Sequence, residues 1–134
     1  MKRIGIIYQY HLDAPLNDRK PSRHYTGFCE LGRLVERDRI HRRGVRYEYN
    51  QNGELTATGA ARFLQVAVER GIGFHLVRAW RGTRADERRL KRNGHAADMC
   101  PVCSARPRQI TFIDEISVGA ALATHRAIQR HMVG

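Results

Sequence analysis

The sequence predicts an α+β fold in which helices pack on a small, mostly antiparallel sheet. Three observations carry this. Two short apolar and aromatic runs, at 3–10 and 24–28, precede the first helical pattern and read as strands. Ala60, Phe63, Leu64, Ala67 and Val68 sit at i, i+3, i+4, i+7 and i+8, which is one face of a helix. A third apolar run, Phe74–Trp80, follows that helix and reads as a core strand.

Taken in order, the first strand is rich in Ile and Tyr and stops short of Pro15. Leu12–Arg23 holds two Pro with Asn17 and Asp18, so it is a loop joining an antiparallel pair. Leu31–Arg43 has helical spacing, with Gly32 weakening its start. Leu34 and Ile40 face the core there, while Arg33, Arg37 and His41 recur at i, i+4 and i+8 on a neighbouring face. Arg46–Tyr49 and Glu54–Thr56 flank an Asn-Gly turn and have hairpin chemistry, so 44–58 reads either as an inserted hairpin or as a mobile loop. Thr58 is available as the N-cap of the next helix and Gly71 as its stop. Thr83 caps a helix over Arg84–Asn93, ended by Gly94. His95–Pro107 is a Cys-containing loop, and Val118–Met132 a final helix carrying Leu122 and Ile128. Residues 1–104 thus form one domain and 105–134 a helical C-terminal extension.

A chain of 134 residues is the size of one ordinary domain. No apolar run approaches the roughly 18 residues a membrane span needs. The basic and then apolar start could pass for a secretory signal, but Gln9, His11 and Asp13 interrupt it too early, so a cytoplasmic location is expected. With three Cys and no such signal, a disulfide framework is not expected.

The net charge of +11 is local. Arg33–Arg46 holds six Arg against Glu36 and Asp38, and Arg78–Arg92 holds seven basic residues against Asp86 and Glu87. These windows carry +4 and +5 of the total. Clustered Arg suits a polyanion, because neutralised phosphates release counterions whatever the sequence. A solvated surface rich in Arg is the plain alternative.

Several side chains could carry chemistry. Tyr8 and Tyr25 lie on the strands expected to pair, where aromatics ordinarily serve packing. A phenol of pKa about 10 acts as a base only where positive charge lowers that value. Arg37 and His41 project from one helix face and suit phosphate chemistry, by a planar guanidinium and a proton-moving imidazole. Glu87, amid Arg84, Arg88, Arg89 and Lys91, could hold one Mg²⁺ or simply pair with Lys91 at i+4. Cys100 and Cys103 have zinc-ligand spacing, with His95 as a third ligand and His125, His131, His75 or Asp98 as the fourth. Redox chemistry is disfavoured there, since the step opens no thioredoxin-like helix, and an inert pair is the alternative. Cys29 reads as packed.

Together these positions resemble the GIY-YIG endonuclease superfamily. Ile7-Tyr8 stands where its first motif falls, Tyr25-Thr26-Gly27 looks like its second, and Leu34-x-x-Arg37-x-x-x-His41 is similar to its helix motif. Glu87 within Glu87-Arg88-Arg89-Leu90-Lys91 looks like its metal-binding Glu. Gly59–Cys103, ending in Cys-Pro-Val-Cys, is similar to short bacterial members. The chain departs in reading Ile-Ile-Tyr, in Thr26, and in the late position of Arg37, which leaves Arg33 as a competitor; Asn93 lies near the family's late Asn. The resemblance implies a three-stranded antiparallel sheet flanked by helices. It implies hydrolysis of DNA phosphodiesters with Mg²⁺ or Mn²⁺ on Glu87. Tyr8, Tyr25, Arg37 and His41 would complete the catalytic set, with Tyr8 or His41 as the base, and Arg33, Arg84, Arg88 and Lys91 would bind the DNA. The alternatives are a nucleic-acid-binding module that has lost cutting, and a zinc-dependent interaction domain around Cys100 and Cys103.

Overall fold

The computed structural model describes residues 3–16, 22–59, 62–93 and 96–123, with backbone alone at 45–48 and 55–59. The chain is α+β, built on one open antiparallel sheet of four strands in the order β2-β1-β5-β6. These are β1 (Gly5–Leu12), β2 (His24–Glu30), β5 (Phe74–Gly82) and β6 (Asp114–Ile116). The expected three strands are present, and a fourth joins them: β6 comes from the segment read as a helical extension and pairs with β5. Three residues ending in Asp-Glu-Ile carry no visible period. What holds them is tertiary, since Arg78 on β5 donates to both carboxylate oxygens of Glu115 at 2.7 and 2.9 Å.

β1 is buried along its whole length, because helices cover both faces of the sheet. Its even-numbered residues Ile6, Tyr8, Tyr10 and Leu12 pack with Leu34 and Leu64, from α1 (Leu34–Arg43) and α2 (Arg62–Glu69). Its odd-numbered Ile7 packs with Trp80, Leu90 and Met99, bringing in α3 (Arg84–Arg92) and the short α4 (Ala96–Met99). The alternation follows from the two-residue period of a strand.

Local sequence signals set several boundaries. Thr83 and Asp86 form a reciprocal capping box at the start of α3, Asp86 Oδ2 accepting from Thr83 N at 2.8 Å. Gly71, at φ +68°, ends α2 with Ile72 N donating to Ala67 O at 2.8 Å, a Schellman closure that needs a left-handed residue. The predicted hairpin is the separate pair β3 (Val45–Tyr49) and β4 (Leu55–Gly59), its turn held by Asn50 Oδ1, which accepts from Asn52 N and Glu54 N. Thr58 belongs to β4, so it does not cap α2. The Cys-containing loop contains α4. A helix is under way at 118–123, with Ser117 accepting from Ala120 N; Ile128 and Met132 lie outside the described residues. No helix among the described residues is long and apolar enough to cross a membrane.

Candidate functional site

Antiparallel pairing sets Tyr8 opposite Gly27 and Tyr10 opposite Tyr25, so all four share the face covered by α1. A Cβ on residue 27 would lie 2.5 Å from Tyr8 Cζ and 2.6 Å from its Oη. Only glycine leaves room for the phenol there. On α1, His41 extends one turn beyond Arg37 and meets that phenol, with Tyr8 Oη and His41 Nε2 2.8 Å apart. Both side chains are buried. Tyr25 also packs edge-on to His41, with 5.7 Å between ring centroids.

Burial decides the protonation of this group. It lowers His41 to about 4, helped by the Arg37 cation, so the imidazole is neutral at pH 7. His41 Nδ1 has no hydrogen-bond partner among the described residues. Neutral His41 shares one hydrogen bond with the Tyr8 hydroxyl, its direction set by which ring nitrogen carries the proton. Tyr8 itself is raised far above the ordinary phenol value, first by burial and then by Tyr25 and Cys29. The expectation that nearby cations would bring Tyr8 down is therefore overturned: Arg37 opposes the shift but does not outweigh desolvation.

Glu87 arrives from the opposite face. It sits on α3, buried, and its Oε2 is 3.3 Å from Lys91 Nζ. At the β2 edge of the sheet its charge still reaches Tyr25, whose phenol is raised by burial and then by Glu87, against Arg37 and Arg84. Lys91 lies 5.8 Å from the Tyr25 ring centroid. Tyr8, Tyr25, Arg37 and His41 are thus linked by ring, hydrogen-bond and charge contacts, and Glu87 reaches them through its charge on Tyr25.

Beside them runs a cleft of about 560 Å³ along β2, with α1 and α3 as its walls. Arg3, Arg33, Arg37, Arg84 and Arg88 line it together with Glu30 and Glu36, which pair with Arg3 and Arg33. Arg33, Arg84 and Arg88, named from sequence as DNA contacts, fall on that cleft, while Lys91 is engaged with Glu87. Arg33 is exposed and paired with Glu36 at 2.6 Å; Arg37 is the one whose charge acts on Tyr8, Tyr25 and His41. Arg78, counted in the second basic window, is no surface charge. It is buried, and besides Glu115 it bonds the carbonyls of Met99 and Arg108 at 3.0 and 2.6 Å.

Among the described residues, one group of His, Cys, Asp or Glu side chains could hold a metal ion, and its members are His11, His24, Cys100 and Cys103. His75, proposed as a ligand from sequence, pairs instead with Asp13 at 3.1 Å, and Asp98 is not in the group. His95, His125 and His131 lie outside the described residues. The two histidines that do converge were not visible as ligands in the sequence. The available signal was that His11 and His24 bracket the β1–β2 loop and face each other once the strands pair. Cys29 is packed as expected, its thiol pushed up to about 12 by burial.

No protein-family model, curated protein or solved structure matches this chain.

Proposed function

We propose that this protein is a divalent-metal-dependent endonuclease that hydrolyses DNA phosphodiesters. The observation that supports it is an Arg-flanked phenol–imidazole pair packed on Tyr25, whose phenol feels the buried Glu87 carboxylate, with an arginine-lined cleft reaching Arg37. Such a cleft attracts a polyanionic strand, and the cluster offers groups able to move a proton and to hold phosphate oxygens.

Glu87 brings a single carboxylate, which suits Mg²⁺ or Mn²⁺, since hard ions of this size keep several waters and need few protein oxygens. Such an ion, when bound, supplies positive charge at the scissile phosphate and the leaving oxygen. Lys91 now neutralises that carboxylate and has to give way to it.

The chain's own residues do the rest. Arg37 holds a non-bridging oxygen and stabilises the charge that grows there in the transition state. His41, as buried as Tyr8, acts on it across their 2.8 Å contact and fixes the phenol's orientation. Tyr8 takes a proton from the attacking water as its own phenolic proton passes to His41 Nε2, with Arg37 beside the phenol. Tyr25, half-buried between the two helices, orients the phosphate by its hydroxyl.

A second reading has its own support. Tyr8 is fully buried and raised, and Glu87 is already paired, which favours a module that binds nucleic acid without cutting it. Incubating plasmid DNA with the protein, with and without Mg²⁺ or Mn²⁺, separates the two. Nicking that appears with the ion and stops on chelation supports the enzyme. Salt-sensitive binding with no nicking under any divalent ion leaves the binding module.

A further inference from the structure

We propose that His11, His24, Cys100 and Cys103 form a closed structural zinc site that pins the Cys100–Cys103 loop to the β1–β2 end of the sheet. The geometry carries it. His11 and His24 are register partners on adjacent strands, and their Nδ1 and Nε2 atoms are 3.5 Å apart. Cys100 Sγ and Cys103 Sγ each lie 3.5 Å from His11 Nδ1, and Cys103 Sγ is 3.4 Å from His24 Nε2. All four atoms fall within 4.8 Å of one another.

Those distances match the edges of a coordination tetrahedron. With Zn–S about 2.3 Å and Zn–N about 2.0–2.1 Å, a regular tetrahedron has S···N edges of about 3.6 Å and an N···N edge of about 3.3 Å. Two thiolates and two imidazoles are also the donor set zinc prefers, and one that Mg²⁺ does not take. A redox role for the Cys pair leaves the two imidazoles unexplained. Four protein ligands leave no open position, so the ion is structural and separate from any ion on Glu87.

The placement says what the zinc holds. His24 precedes Tyr25 on the edge strand β2, and His11 lies one residue before the end of the central strand β1. On the other side, Cys100 follows Met99, whose carbonyl accepts from Arg78, and Arg78 in turn fixes Glu115 on β6. One ion therefore ties the edge strand that presents Tyr25 to the loop and strand that complete the sheet, and it does so whether or not the protein cuts DNA.

Metal analysis of protein purified without chelator tests it directly. One zinc per chain is expected, released by a mercurial that titrates thiolates. Replacement by Co²⁺ should give tetrahedral ligand-field bands in the visible with thiolate-to-cobalt charge transfer in the near ultraviolet. Cys103→Ser and His24→Ala should each weaken zinc binding at least tenfold, and Cys29→Ser should leave it intact. Should the ligand variants fail to fold, the wild-type stoichiometry and Co²⁺ spectrum still decide. Wild-type protein without zinc, an octahedral Co²⁺ spectrum, or a Cys100–Cys103 disulfide in native protein would each overturn the proposal.

Discussion

The phenol oxygen of Tyr8 and Nε2 of His41 lie 2.8 Å apart, both buried, and no described residue partners the far nitrogen of the imidazole. This pair couples α1 to the central strand, and it gives the two residues unequal roles. Tyr8→Phe should lower nicking by about 100-fold or more, the range for losing a positioned proton-transfer group. His41→Gln keeps a side-chain hydrogen-bond partner for the phenol and should retain more activity than His41→Leu. Single-turnover nicking rates on supercoiled plasmid decide the order; equal loss in both His41 variants contradicts a hydrogen-bonding role for His41.

The same pair makes a prediction about acid. Unfolded, His41 titrates near 6.5; folded, burial depresses it to about 4. The unfolded chain therefore takes up the proton first as pH falls. His41's contribution is full above about pH 6.5 and is lost as pH drops towards about 4, by up to about 3 kcal/mol. Urea midpoints at pH 7.5 and 4.5 should differ more for wild type than for His41→Leu. Identical pH dependence of the two proteins contradicts the buried, neutral assignment.

Gly27 faces the Tyr8 ring too closely for any side chain. Gly27→Ala must push the phenol off His41 or part the strands, at a cost of about 1–3 kcal/mol. A lower urea midpoint together with lost nicking is expected. Gly53, whose added Cβ meets nothing, supplies the contrast in packing, although its positive φ carries a separate backbone cost.

The arginines divide by what they touch. Arg37→Ala should lose at least tenfold in rate, about 1.4 kcal/mol of transition-state stabilisation, while Arg33→Ala should change it little. Arg84→Ala and Arg88→Ala should each reduce the slope of log binding constant against log salt by about 1. Arg78→Ala should leave that slope alone and lower stability, because Arg78 bonds Glu115, Met99 and Arg108 in the interior. Fluorescence anisotropy across a salt series, with unfolding curves alongside, separates these groups.

What the sequence disclosed was local. The Thr83–Asp86 box, the Gly71 stop and the Asn50–Gly53 turn each act within a few residues, so element types and several boundaries were readable. The grouping of Tyr8, Tyr25, Arg37, His41 and Glu87 was suggested by resemblance, not by spacing. What was hidden depends on pairing between distant segments. β6 pairs with β5 beside the Arg78–Glu115 ion pair, and a strand of three residues has no period to detect. His11 and His24 become neighbours only through strand register, and the Cys pair reaches them from 76 or more residues further along. Arg78 looked like surface charge because composition cannot tell which side of a strand is covered.

The most direct test of the enzyme reading is the nicking of supercoiled plasmid by Glu87→Gln in Mg²⁺ or Mn²⁺, with DNA affinity measured on the same preparation. The account predicts that wild type nicks, that Glu87→Gln does not, and that both bind DNA alike. Nicking by Glu87→Gln at the wild-type rate would contradict it.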